Sequence, residues 1–398
     1  MASVMGLMIL ALAIINKPRP VAVQPPLYQP YRPYPRDPGP KTPVKPAPEV
    51  WSFQQALDSL TSAELKQHLE YLASDELEGR MSGKKGNIKA MVYLRDFHIK
   101  NGMKTEYQKF NIRRLNPGPH NERGDNFTQN LFAYIEGSDP ALKNEIVVVG
   151  AHCDHIGYGP SMSRARSRRN EIHNGADDNA SGTVVVQMVA RAFQRLDPKE
   201  VPRTIVFQHY SAEEMGLIGS RYYCNNPTFP KGSPSIRSHI AMINLDMVGY
   251  LGKGYYFAGF YAGNSSIDLG KYINDLNRKY TFAKKITGQR SGGSDHACFY
   301  NKKVPIAFLH TGLHSYYHTP DDDAHRINFD GMEKIAKYTF ELVYKVVNAN
   351  VRPEFNYTNF KEMPYIHDHG HPDVPFIHSF HKDEYERMKH KHNHPHKH

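Results

Sequence analysis

Five short stretches of this 398-residue chain concentrate carboxylates and imidazoles: "HCDH" (152–155), "GADDNASG" (175–182), "SAEEMGLIGS" (211–220), "NLD" (244–246) and "YYHTPDDD" (316–323). Acids collected in one place cost several kcal/mol per uncompensated charge. The sequence offers no set of Arg or Lys beside these stretches to neutralise them, so metal cations are the economical answer. Imidazole and carboxylate without thiolate suit zinc, ahead of manganese or cobalt. Cys153 lies between His152 and Asp154 and in extended backbone would point away from both, so it reads as a packed thiol. By the same alternation the adjacent Glu213 and Glu214 would face opposite ways, which suits them to two different jobs.

Four of the five stretches follow apolar runs that read as strands: "EIVVVGA" (145–151), "RTIVFQHY" (203–210), "IAMINLD" (240–246) and "VPIAFL" (304–309). Further strand patterns are "NLFAYIE" (130–136) and "YYFAG" (255–259). The fifth stretch is a glycine-rich turn just before "SGTVVVQMVARAFQRL" (181–196), where Val185, Met188, Val189, Ala192 and Phe193 form one helical stripe. Earlier, Leu57, Leu60, Leu65, Leu69 and Leu72 have mostly helical spacing, Thr61 to Glu64 matches a capping box, and another helix spans Ile88 to about Asn101. Continuous apolar strands alternating with amphipathic helices predict an α/β fold of three layers, α/β/α, around a mixed, mostly parallel sheet. In such sheets the functional groups gather beyond the carboxyl ends of the strands.

Taken in order, "HCDH", "GADDNASG", "SAEEMGLIGS", "NLDMVG", "SGGSDHACF" and "YYHTPDD" resemble the co-catalytic di-zinc aminopeptidases, a clan that also holds glutamate carboxypeptidase and the glutaminyl cyclases. The resemblance covers roughly residues 65 to 345 and includes "LASDELEGRMSGKKGNIKA" near its start. It implies two zinc ions bridged by Asp178, with His152 and Asp246 completing one and Glu214 and His318 the other. It makes Glu213 the general base, Asp154 the carboxylate that fixes the His152 tautomer, and Tyr317, or less directly Tyr316, a hydrogen-bond donor to the developing oxyanion. The spacing Asp-x-x-Ser-Gly selects Asp178 over Asp177, which reads as a turn residue. A zinc pair can share and acidify a water and polarise a carbonyl, and a carboxylate that is not a ligand must then carry the proton to the leaving amine.

The implied activity is that of an exopeptidase acting on the amino end of peptides. A carboxypeptidase would need arginines for the terminal carboxylate, and Arg290 and "RARSRR" (164–169) are the candidates. A glutaminyl cyclase works with one zinc and would not need all five ligands, and a non-catalytic binding protein of this fold would have lost some. Ser294, Asp295 and His296 are adjacent and cannot form a nucleophilic triad; an N-cap at Ser294 is the better reading. His155, His173, His310 and His314 lie near the motifs but read as non-ligands.

The ends differ from the centre. The uncharged run "VMGLMILALAII" (4–15) is long enough for a signal-peptide core and short for a bilayer span, so residues 1–17 read as a signal peptide or N-terminal anchor of an exported protein. Residues 18–50 form a Pro-rich linker, with 12 prolines between 18 and 48, and could space the domain from a membrane or cell surface. The peptidase domain spans 51–351. The tail 352–398 is His-rich and reads as disordered, with 10 of the 23 histidines between His367 and His398. A formal charge of +10 has no continuous basic stripe, which argues against nucleic acid as a partner and leaves peptides as the substrates. The segment around "SRARSRRNE" (163–171) reads as a solvated loop rather than a flap. Three cysteines without CxxC spacing could form at most one disulfide, and the chain reads as having none. Oligomeric state leaves no trace in the sequence.

Overall fold

A computed structural model of the protein describes residues 49–112, 127–159, 162–165, 170–228, 235–251, 258–260, 265–281, 293–358, 360–363 and 365. The expected leader, most of the Pro-rich segment, the histidine cluster and Arg290 lie outside the described residues. Nine strands, β1 (Lys104–Asn111), β2 (Phe127–Ile135), β3 (Ile146–His152), β4 (Gly157–Tyr158), β5 (Ile172–His173), β6 (Thr204–Tyr210), β7 (His239–Leu245), β8 (Ala258–Phe260) and β9 (Ile306–His310), are assigned among them. Seven form one sheet in the order β1-β2-β6-β3-β7-β9-β8, while β4 and β5 pair separately. The four central strands β6, β3, β7 and β9 are parallel, and β1, β2 and β8 run antiparallel to their neighbours. The mostly parallel mixed sheet is therefore the one the apolar runs predict.

Strand alternation sorts the core into two layers. Val147, Val149 and Ala151 of β3 join Ile205 and Phe207 of β6 and Ala241, Ile243 and Leu245 of β7 under the helices α2 (Ser62–Leu72), α3 (Lys85–Lys100), α4 (Gly182–Gln194), α6 (Ile267–Tyr280) and α8 (Phe329–Val347). Helix α1 (Phe53–Asp58) adds Ala56 and Leu57 to the same layer. Ile146, Val148, Val206, Met242 and Ile306 face the other way, against α5 (Ile218–Asn225) and α7 (His296–Asn301). Packing on that second face continues beyond residue 351, with Met363 buried and Phe355 and Phe360 lying against it. Among the described residues no helix is long and apolar enough to cross a membrane.

Several local expectations change. Thr61 does cap α2 by accepting from the Glu64 amide, but Glu64 turns away to make a two-pronged pair with Arg191 at 2.6 and 2.8 Å. The complete capping box is instead Ser52 with Gln55 at the start of α1. Strand β1, "KTEYQKFN", carries no apolar alternation strong enough to read as a strand because it is an edge strand, where charge guards the unpaired side. Cys224 and Cys298 form a disulfide that ties α5 to α7, against the expectation of none; the 74 residues between them hide in sequence a pairing that the sheet makes local. Closing a loop of that length stabilises by about 4 kcal/mol in the chain-entropy account. Cys153 is free and buried as expected, its thiol pushed up to about 12 chiefly by burial.

One buried polar pair sits within this core. His98 of α3 and His209 of β6 bring their Nε2 atoms to 2.9 Å, both fully buried, and neither Nδ1 has a hydrogen-bond partner. Burial pulls His98 down to about 3 and His209 well below its usual value. The unfolded chain therefore takes up protons below about pH 6.5 that the folded chain refuses, so this contribution to stability is full above that pH and is lost as pH falls towards 3. Urea unfolding should show the protein losing about 2–4 kcal/mol more between pH 7 and pH 5 than a His98→Leu/His209→Leu variant does, at about 1.4 kcal/mol per unit per histidine. Equal slopes for the two proteins would show that the pair does not titrate in this window.

Candidate metal centre

The carboxyl ends of the parallel strands deliver the candidate residues to one edge of the sheet. His152 is the last residue of β3, Glu213 and Glu214 follow β6, Asp246 follows β7, and His318 lies in the loop after β9. Strand β3 is flanked by β6 and β7, reached by connections that diverge to either side of it, which is the crevice where open α/β sheets bind ligands. Asp178 arrives differently. It sits in the irregular helical segment Ala176–Ser181 ahead of α4, with non-helical backbone at Asp178 and Asn179 joined by a cis peptide bond.

These residues form two groups of donors: His155, Asp178, Glu214 and His318 in one, His152, Glu213 and Asp246 in the other. Asp178 belongs to both sides. Its Oδ1 is 3.4 Å from His152 Nε2, and its Oδ2 is 3.0 Å from His318 Nε2 and 3.6 Å from His155 Nδ1. His152 Nε2 is also 3.3 Å from Asp246 Oδ1, and His318 Nε2 is 3.1 Å from Glu214 Oε2. Donors about 2.0–2.2 Å from a tetrahedral zinc ion stand about 3.3–3.6 Å apart, so the spacing and the N/O chemistry both fit that metal. The residues expected from sequence are thus brought together, and His155 lies beside them.

The separation of Glu213 from Glu214 has a different origin from the one expected. Strand β6 ends at Tyr210, Ala212 is left-handed (φ 57), and the two glutamates sit in a turn closed by Gly216 and Leu217 amides donating to the Glu213 carbonyl. The turn, not strand alternation, sends them to different groups. Left-handed backbone recurs at Met247 (φ 56), next to Asp246, and at His318 itself (φ 54). Each such non-glycine residue costs of order 1 kcal/mol, and here they flank the donors.

Supports outside the expected set hold this geometry. Asp322 grips the backbone of the Asp178 turn, its Oδ1 accepting from the Asp177 amide at 2.9 Å and its Oδ2 from the Asp178 amide at 3.0 Å. It thereby joins the loop carrying His318 to the turn carrying Asp178. Asp177 is no mere turn residue: fully buried, it accepts from His314 Nε2 at 3.0 Å and from the Gly249 amide at 2.6 Å. His310 and His173 contact the Asp246 carbonyl and the Ser163 hydroxyl respectively and stay outside the donor groups. Asp154 meets His152 Nδ1 first through its carbonyl, at 3.2 Å; its carboxylate is 3.9 Å away and accepts from the Glu213 amide at 3.2 Å.

The absence of buried cations inferred from the sequence is corrected by Arg80. Its guanidinium is buried and donates through Nε to Cys153 O (2.9 Å), through Nη1 to Leu72 O and Asn174 O (2.6 Å for the latter), and through Nη2 to Gly175 O (2.9 Å). One side chain therefore pins the segment of His152 and the segment of Asp178. It stands in "LEGR", inside the N-terminal stretch of the resemblance but far in sequence from the donor motifs, and nothing local announces its burial.

Tyr317 lies flat on the His318 imidazole, ring centroids 3.9 Å apart, and Arg164 covers its ring at 5.4 Å. Tyr316 instead receives Arg326 at 3.9 Å. The described part of the basic segment is attached to this loop: the Arg164 amide donates to the His318 carbonyl at 2.9 Å, so these residues are not the freely solvated loop expected. Ser294 accepts from Asn244 Nδ2 at 2.8 Å and does not cap α7, whose N-cap is Asp295.

The electrostatics follow from burying so many acids together. Burial and the neighbouring Glu214 charge raise Asp178 to about 7, and burial raises Asp154 to about 6. Burial drives Glu213 well above the usual carboxylate range, with Asp246, Asp295 and Glu214 adding to the shift. Burial would lower His318, but the charges of Glu214 and Asp178 outweigh it and push the imidazole to about 10. Negative charge is in excess, and burial beside other acids favours the protonated form of Glu213.

Residues 130–343 match the sequence model of Peptidase family M28. A "Probable leucine aminopeptidase" of Trichophyton verrucosum is 33% identical over 219 residues, 52% of this chain and 53% of that protein. The chain spans about half the length of the curated relatives it matches. Among solved structures, BSAP, a zinc aminopeptidase from Bacillus subtilis, superposes with a TM-score of 0.58 at 16% identity over 72% of this chain and 95% of that one. Porphyromonas gingivalis glutaminyl cyclase gives 0.58 at 17% identity over 71% and 97%. At such identities these structures share the fold.

Replacing Arg80 with Met should strip four carbonyls of their donor and remove the buried positive charge, lowering stability by about 3–5 kcal/mol in urea unfolding. Arg80→Lys should recover only part of that, because an ammonium cannot span the same carbonyls. A loss under about 1 kcal/mol for Arg80→Met would mean that the loops hold themselves.

Proposed function

Because the chain belongs to peptidase family M28, we propose that it is a zinc-dependent aminopeptidase whose two zinc ions are shared across Asp178. The observation that carries the reading is the Asp178 carboxylate itself, one oxygen turned to His152 and the other to His318. On this reading His152 and Asp246 complete one site and Glu214 and His318 the other. Bound zinc supplies Lewis acidity that polarises a carbonyl and acidifies water.

The chain's own residues do the rest. Glu213, as the carboxylate, would take the proton of the attacking water and return it to the departing amine, and burial makes the protonated form it passes through less costly. Asp154 holds the Glu213 backbone through the amide and keeps the turn in place. The stacking of Tyr317 on His318 fixes its ring beside the site, where its hydroxyl would stabilise the oxyanion. Surplus carboxylates favour a substrate that brings a positive group, and the free amino end of a peptide is such a group. Among the described arginines, Arg80 is committed to four carbonyls and Arg164 to Tyr317, which weakens the case for gripping a terminal carboxylate.

We further read the protein as exported. The disulfide between Cys224 and Cys298 supports an oxidising compartment, and the apolar run at 4–15 would direct it there. The catalytic domain would start near residue 51 and extend past the expected boundary at 351, to include Phe355, Phe360 and Met363.

The test is hydrolysis of paired peptides, free or acetylated at the amino end, followed by product mass. Zinc-loaded protein should release single N-terminal residues from the free peptide only. Glu213→Gln should lower kcat by about 10²–10⁴-fold while keeping its zinc. A chelator should abolish activity and zinc should restore it. Equal cleavage of the acetylated peptide would sink the amino-end reading, and loss of ammonia from glutaminyl peptides without cleavage would make the protein a cyclase.

A further inference from the structure

We propose that His155 is a positioning residue of the metal centre, donating its Nδ1–H to Glu214 Oε1 so that Glu214 offers Oε2 alone to the cation. The inference rests on the metallopeptidase reading above. His155 Nδ1 lies 2.8 Å from Glu214 Oε1, a hydrogen-bond distance, and 3.6 Å from Asp178 Oδ2, which is not one. An ionised carboxylate only accepts, so the nitrogen facing Glu214 must carry the hydrogen. A protonated Nδ1 has no lone pair for a metal. The other glutamate oxygen, Oε2, is the one 3.1 Å from His318 Nε2, which in turn is 3.0 Å from Asp178 Oδ2. Three donor atoms thus converge on one point, and His155 reaches the fourth atom, on the far side of the carboxylate.

The ring is built into place. His155 is buried, and Gly175 presses against it so closely that a Cβ there would lie 2.5 Å from both Cδ2 and Cγ. Gly175 is left-handed (φ +56), and its carbonyl is held by Arg80 Nη2. The His155 amide points at the Arg80 carbonyl. His318 meets the His155 ring edge-on, centroids 5.5 Å apart. With backbone, glycine and neighbouring imidazole all fixed, the imidazole cannot turn away, and the Glu214 carboxylate cannot rotate to present both oxygens to one side. Hydrogen bonds of this kind behind a metal ligand commonly change affinity or activity by about 10–100-fold.

Zinc affinity, measured by competition with a chromogenic chelator, separates this role from that of a ligand when read on His155→Ala and His155→Asn. The Asn amide nitrogen occupies nearly the position of Nδ1 and donates, yet amides bind zinc poorly. His155→Ala should weaken one zinc equivalent about 10–100-fold and lower kcat with little change in KM. His155→Asn should return most of the affinity. X-ray absorption of the zinc-loaded wild type should count imidazoles from His152 and His318 alone. Asn as weak as Ala, or an imidazole contribution to the absorption spectrum that the His155→Asn substitution removes, would make His155 a ligand and overturn the inference. Wild-type affinity in the alanine variant would overturn it as well. If alanine does not fold, the asparagine variant decides: near wild-type affinity supports the role, and a tenfold loss removes it. A wild type that binds no zinc at all defeats the metallopeptidase reading, which the variants alone do not.

Discussion

Among the described residues, one buried guanidinium faces the concentration of acid at the mouth of the sheet. Arg80 brings no salt bridge in the usual sense; its N–H groups go to backbone carbonyls of the segments that carry His152 and Asp178. That arrangement supplies positive potential to the cluster while its donors go to backbone carbonyls. It also makes the relative placement of two loops depend on one planar fork, whose five donors have fixed directions. Asp322 provides the matching support from the other side, an acceptor for two consecutive amides of the Asp178 turn. Between them the turn is gripped at its carbonyls by a cation and at its amides by an anion.

The sheet supplies what these supports act upon. Parallel strands end at one edge, so β3, β6, β7 and β9 present their following residues together without any long-range search. The apolar layers on both faces leave the strands no freedom to slip, because a shift of one residue would exchange the two faces. Left-handed residues then turn the chain at Ala212 and Met247, just past β6 and β7, and at His318 in the loop after β9. Such conformations are stored at the edge because the packed core below over-determines them.

Much of this is legible in the sequence because it is local. Apolar runs followed at once by His, Asp or Glu give the strands, their parallel arrangement and the edge where the donors meet. The spacing from Asp178 to Ser181 and Gly182 singles out, of an adjacent pair, the aspartate whose oxygens lie between His152 and His318. What escapes is what depends on contacts between distant segments. Arg80 has no pattern around it that announces burial, and its partners lie 73 to 95 residues away for Cys153 and Gly175. His155 looks like one more histidine in "HCDH" until Glu214 is placed beside it. The two glutamates reach different groups as expected, yet through a turn that alternation does not describe. Strand β1 fails to register for the opposite reason: an edge strand answers to solvent, and solvent asks for charge.

The bond between Cys224 and Cys298 closes a loop that contains all of β7 and Asp246. Where a chain is cut by a protease, the cuts fall in connecting segments. A single cut anywhere between those two cysteines leaves both fragments covalently joined, so β7 and the Asp246 that follows it stay tied to the rest of the chain. The crosslink turns a break in the chain into a change of connectivity, and the nicked molecule keeps all of its donors on one covalent body.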